Sequence, residues 1–199
     1  GLKSKKLAES FKPKALAVKN LKDLIKKSDL VIEAAAAGAS FEIAKSTLIL
    51  KKNLMIMSVG GIVKGFDILS KLAVKNNCKV YIPSGAISGI DALKAAGIGR
   101  VKRVTLTTTK NPLAFKGVKY IEERKINLNN IDKEVILFSG KAKDAVRYFP
   151  QNINVAAVLS LAGIGVDKTR VRVVASPKVF KNVHEIEIES DAAKISTRT

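Results

Sequence analysis

The sequence predicts an α/β chain in two parts: an open parallel sheet built from β-α-β units, then an α+β part, with the division near residues 83–90. Three observations carry this. In the first half, short apolar runs alternate with helix-like stretches of roughly ten residues, the text of right-handed crossovers onto a parallel sheet. In the second half, Arg170–Ala175 and residues 183–189 alternate apolar and charged residues strictly, the mark of strands with one wet face. No internal repeat or low-complexity tract interrupts either part.

Residues 4–11 are helical in spacing, with Leu7, Ala8 and Phe11 on one face. Asn20 caps a short helix over residues 21–27, in which Leu21, Leu24 and Ile25 share a stripe. Residues 29–35 form an apolar run suited to a buried parallel strand. Helical spacing returns over 40–51 through Phe41, Ala44, Leu48 and Ile49. Residues 54–58 read as a second strand ending at Gly60-Gly61, 66–77 as a helix, and 78–82 as a third strand stopped by Pro83. Beyond it, 90–96 is a helix closed by Gly97, and the Thr-rich 100–109 is a long half-exposed strand. A strand over 134–139, helices over 141–148 and 152–161, and the two alternating strands, taken as antiparallel, complete the series.

The charge is lopsided: 36 Lys+Arg against 17 Asp+Glu, a net +19. That excess raises nucleic-acid binding as a reading. Against it, the basic residues are mostly lysine and spread along the whole chain, arginine is scarce, and aromatics for base stacking amount to 5% with no Trp. Apolar runs stay far short of the ~20 residues of a membrane span. One cysteine, Cys78, forms no internal disulfide and reads as core packing in a reducing compartment, and no charged-then-apolar leader opens the text, so the expectation is cytoplasmic. One His and one Cys do not supply the usual metal-ligand set, so no metal is expected.

Open parallel sheets bind ligands beyond the carboxyl ends of their strands. Three such ends carry small residues: Ala34-Ala-Ala-Ala-Gly38, Ser58-Val-Gly-Gly61 and Ser84-Gly-Ala86. Missing side chains there let a flat or charged ligand lie against the backbone. The glycine-rich turn that normally opens a dinucleotide-binding sheet is absent, because no GxGxxG occurs. The text starts in helix rather than in a first strand, as a piece of a longer protein would.

Three segments occur in order: Ile82-Pro-Ser-Gly-Ala-Ile-Ser-Gly-Ile-Asp-Ala-Leu-Lys-Ala-Ala96, Phe149-Pro-Gln-Asn-Ile-Asn-Val-Ala-Ala-Val-Leu-Ser-Leu-Ala-Gly163, and Asn182-Val-His-Glu-Ile-Glu187. Together they resemble the archaeal-type L-aspartate dehydrogenase family, over nearly the whole chain. The resemblance implies a partial Rossmann-like domain over residues 1–85, lacking its first strand, and an α+β catalytic and oligomerisation domain over 86–199. It also implies a homo-oligomer and NAD- or NADP-dependent oxidation of L-aspartate to iminoaspartate, reversible from oxaloacetate and ammonia and feeding NAD biosynthesis. The family's glycine-rich N-terminal segment and its final helix have no counterpart in this text. Homoserine dehydrogenase, dihydrodipicolinate reductase, a non-catalytic basic nucleic-acid-binding module and a fragment that has lost its cofactor site stand as alternatives.

His184 is the only histidine. By pattern it is an ordinary strand residue. A base titrating near neutrality suits proton removal from an amino group, and the resemblance aligns His184 with the family's catalytic histidine. Asn154 is an amide in an otherwise apolar helix, where propensity disfavours it. The resemblance makes Asn154 and Ala86 cofactor contacts, and strand-end position adds Ala35, Ser58 and Gly60. A dicarboxylate substrate calls for cations; Lys110 is the candidate, with Arg170 and Arg172 behind it. Ser84-Gly-Ala is no nucleophile elbow, because the G-x-S-x-G frame is missing.

Overall fold

The computed structural model describes residues 2–149 and 154–199. Two sheets organise it: a parallel sheet of three strands and a mixed sheet of five. After helices α1 (Leu2–Glu9) and α2 (Leu21–Lys26), the first sheet runs through β1 (Leu30–Glu33), β2 (Asn53–Ile56) and β3 (Val80–Tyr81), in that order in space. Helix α3 (Ala37–Ile49) makes the first crossover and α4 (Phe66–Lys75) the second. Asn20 caps α2 as its sequence position predicts, its side-chain oxygen accepting the Asp23 N–H at 2.9 Å. Only Ile25 of the predicted α2 stripe is buried; Leu21 and Leu24 face solvent. On α1 likewise Ala8 is buried while Leu7 and Phe11 are exposed.

The second sheet has the order β5-β6-β4-β7-β8, from β4 (Val101–Lys110), β5 (Val135–Lys141), β6 (Arg170–Ala175), β7 (Val183–Ser190) and β8 (Lys194–Arg198). Helices α5 (Ile90–Ala96), α6 (Lys119–Glu123), α7 (Ala142–Tyr148) and α8 (Asn154–Ala162) complete the chain. Helix α7 packs on β5 and β6, while α5 packs on β7 and α8. Phe115, Phe138, Tyr120 and Phe149 interlock beneath, with Tyr120 and Phe149 ring centres 5.0 Å apart. Such offset and edge contacts suit the aromatic quadrupole.

Three expectations are corrected. The Thr-rich β4 is not half exposed: from Val104 onward every residue but Thr107 is buried, because β4 is the central strand with neighbours on both sides. Strand β6 is antiparallel to β5 but parallel to β4, and β4 separates it from β7. The short polar β8 and the five-residue α6 have no counterpart in the sequence reading. The predicted start of the last helix, residues 152 and 153, lies outside the described residues. No helix among those described is long and apolar enough to cross a membrane.

Candidate active site

The carboxyl ends of β1 and β2 are joined by one side chain. Glu33, 2% exposed, accepts the Ala35 N–H at 2.8 Å on one carboxyl oxygen and the Ser58 N–H at 3.0 Å on the other. Ser58 returns the contact by donating its hydroxyl to the Ala35 carbonyl at 2.7 Å. The amides of Ala35 and Ser58 are therefore spent inside the protein, and these residues shape the strand-end loops rather than offer donors. Beyond Ser58 the chain turns through Val59–Gly61 against the start of α3. Only glycine fits at residue 61: a Cβ there would collide with the Ala37 carbonyl oxygen and stand 2.7 Å from Ser40 Oγ.

Asn154 opens α8 beside that turn. Its side-chain oxygen accepts the Gly60 N–H at 3.0 Å, a bond that crosses from the parallel sheet to the second part. Because the partner is a donor, the amide orientation is fixed, and the Asn154 NH2 is left as the group to offer a ligand. On one side of this bond lies a cavity of about 220 Å³, lined by Met57, Val59, Pro83, Gly85, Ala86 and Asn154 among others. On the other lies a larger cleft of about 750 Å³ between Ala37–Gly38, Gly60–Gly61, Lys64 and the α7 residues Lys143, Asp144 and Arg147.

His184 stands near the start of β7, 6% exposed. Its backbone N–H and C=O both pair with Thr199, at 2.8 and 2.9 Å. On the other side it faces Thr108 of β4 in register. Thr108, His184 and Thr199 thus form a row on one face of the sheet, since directly opposed residues of paired strands share a face. Lys110, two residues beyond Thr108, shares that face and is 7% exposed. The row looks toward the loop after β3: Thr199 donates its hydroxyl to the Ala86 carbonyl at 3.2 Å, and Thr197 to the Ser88 carbonyl at 3.4 Å.

Burial lowers the His184 pKa from its ordinary 6.5, and the nearby Lys110 charge lowers it further. Burial likewise lowers that of Lys110 from 10.5. The result is an imidazole held neutral near pH 7, the form that can accept a proton. His184, Lys110, Ala35 and Ser58 line neither cavity. Among the described residues no group of three His, Cys, Asp or Glu side chains could hold a metal.

Comparison with known proteins decides the family. The model described as "Aspartate dehydrogenase, C-terminal" matches residues 91–199, more than half of the chain. The chain belongs to the aspartate dehydrogenase family. A second model, "Homoserine dehydrogenase, NAD binding domain", matches residues 2–83. The L-aspartate dehydrogenase of Methanococcoides burtonii is 41% identical over 194 residues, covering 96% of this chain and 72% of that protein. That of Methanosarcina acetivorans is 43% identical over 198 residues, covering 98% and 73%. The crystal structure of aspartate dehydrogenase from Thermotoga maritima superposes with a TM-score of 0.74 at 25% identity, covering 94% of this chain and 74% of that one. The homoserine dehydrogenase alternative is not favoured, since the second part of the chain matches the aspartate dehydrogenase model.

Within this member of the aspartate dehydrogenase family, the structure brings Ala86 and Asn154 to the smaller cavity, holds Gly60 to Asn154 at the larger cleft, and ties Thr199, the backbone partner of His184, to Ala86. Arg170 and Arg172 alternate with Val171 and Val173 on β6 and point to the opposite, solvent-facing side of the sheet from Lys110. Sequence reasoning missed Glu33, Thr108 and Thr199. For Glu33 there was a signal: an acid closing an apolar strand directly before a run of alanines.

Proposed function

We propose that this chain catalyses the reversible oxidation of L-aspartate to iminoaspartate with NAD or NADP, the imine then exchanging with oxaloacetate and ammonia. The observation that carries this is the row Thr108–His184–Thr199, which sets the only imidazole on the face joined through Thr199 to the Ala86 carbonyl. The cavity bounded by Ala86, Gly85 and Asn154 suits a flat amide-bearing ring: apolar walls from Ile56, Val59 and Val158, and an amide at its edge. When bound there, the nicotinamide supplies a hydride acceptor.

The protein's part is to hold and deprotonate. Asn154 offers its NH2 to the ring carboxamide, and the Ala86 backbone meets the same ring. Ala35, Ser58 and Gly60 border the cofactor by being small. Neutral His184 takes a proton from the substrate nitrogen, so that the nitrogen lone pair can form the C=N bond as hydride leaves the α-carbon. Lys110, on the same face, offers its ammonium to a substrate carboxylate. Residues 1–85 serve as the cofactor-side domain and 86–199 as the catalytic one. The latter also carries the homo-oligomer contact, for which the solvent-facing side of the five-stranded sheet is available. The free, half-buried Cys78 fits a cytoplasmic setting, and the product feeds NAD biosynthesis, as the family resemblance implies.

The test is direct. L-aspartate with NAD+ or NADP+ should give reduced nicotinamide absorbance, and oxaloacetate with ammonia should consume it. His184→Ala should lower the rate by about 10²–10⁴. No aspartate-dependent reduction of either cofactor, or an undiminished His184→Ala protein, would overturn the reading.

A further inference from the structure

Two buried polar atoms among the described residues have no hydrogen-bond partner: Thr108 Oγ1 and His184 Nδ1. They belong to residues that face each other across β4 and β7. Sealing one such atom from water costs about 1–3 kcal/mol, so two adjacent orphans on opposed residues are not an arrangement that packing alone sustains. The strand geometry brings them closer still. His184 spends both backbone groups on Thr199, so its pairing with Thr108 is of the non-hydrogen-bonded kind. Residues in such pairs stand only ~4.5 Å apart at Cα, with side chains closer than in the alternate pairs. At that spacing a hydrogen bond between the two side chains would satisfy both orphaned atoms.

We propose that Thr108 is a positioning residue for His184, its hydroxyl oxygen accepting the imidazole Nδ1–H so that Nε2 keeps the lone pair that takes the substrate's proton. The direction of the bond follows from the cycle the base must run. A threonine oxygen accepts from Nδ1–H equally well when the ring is neutral and when it is charged, and no hydroxyl has to swing as the proton arrives. Were Thr108 the donor instead, Nδ1 would hold the lone pair and Nε2 the hydrogen, the wrong tautomer for a base at Nε2. The one titratable neighbour whose charge acts on the ring, Lys110 on β4, repels the imidazolium and does not choose between tautomers. The role of Nε2 rests on the dehydrogenase reading above; the tautomer does not.

His184 is the only histidine, so its ring nitrogens can be read without assignment. Long-range proton–nitrogen NMR of the uniformly labelled chain above its titration should show the Nδ1–H tautomer dominant. Thr108→Val, which keeps the shape and removes the oxygen, should shift the population toward Nε2–H. It should also lower kcat/KM for aspartate by up to about tenfold, with the aspartate KM little changed. Thr108→Ser should restore both. A wild-type spectrum dominated by Nε2–H overturns the proposal whether or not the variants fold, and so does a Val spectrum identical to wild type. Loss of aspartate oxidation in the wild-type chain with the Nδ1–H tautomer intact would instead sink the dehydrogenase reading and leave the pairing standing.

Discussion

Glu33 and Ser58 sit on neighbouring strand ends, and the carboxyl group of the first accepts the backbone N–H of the second at 3.0 Å in a place sealed from solvent. The other carboxyl oxygen holds Ala35, so one side chain sets the spacing of the two strand-end loops proposed to border the cofactor. Glu33→Gln replaces one acceptor by a donor and leaves one of the two amides facing an NH2. The expected cost is about 1–3 kcal/mol of stability, read by urea denaturation. The cofactor KM should rise more than kcat falls, because the loops shift while His184 does not.

A parallel argument applies at Asn154. Its side-chain oxygen is the acceptor for Gly60 N–H. Asn154→Ala frees that amide and removes the NH2 proposed for the nicotinamide carboxamide. The cofactor Kd from fluorescence titration should weaken about tenfold, the worth of one good hydrogen bond.

Burial, and after it the charge of Lys110, pull the His184 pKa below 6.5. In the window between that lowered value and 6.5 the unfolded chain's histidine binds more protons than the folded one's, so the His184 contribution to stability rises with pH across it and is flat above. An NMR titration of the single histidine should give a midpoint below 6.5. Lys110→Met should move the midpoint upward, and the acid limb of kcat/KM should follow it to higher pH. A midpoint unmoved by the substitution would show that burial alone sets it.

At Gly61 the prediction is steric. A Cβ there meets the Ala37 carbonyl and Ser40 Oγ, both held by α3, so the turn must retreat from the helix. Gly61→Ala should cost about 1–3 kcal/mol. For a chain of this size that lowers Tm by roughly 2–4 °C per kcal/mol, measurable by scanning calorimetry.

The elements that position the site were legible to different degrees. Strands β1 and β2 were plain because each is a short apolar run between helices of regular period; the expectation of a strand buried on both faces is corrected, since Leu30 and Ile32 of β1 are exposed while Val31 and Glu33 are buried. Strand β8 was not plain, since Lys-Ile-Ser-Thr-Arg has one apolar residue and becomes a strand only by pairing with β7. The threonine-rich β4 looked half wet because alternation records side-chain type and not the strand's place in the sheet. His184 and Asn154 came from motif resemblance. Glu33, Thr108 and Thr199 escaped because each acts through a hydrogen-bond position that only the register creates.

The Thr199 hydroxyl bonded to Ala86, with the Thr199 backbone laddered onto His184, has a mechanical consequence. The proposed proton acceptor and the proposed nicotinamide seat are bolted to the same plate. Rocking of the parallel sheet against the mixed one would alter how firmly the dinucleotide is gripped, while the gap across which proton and hydride part company stays constant.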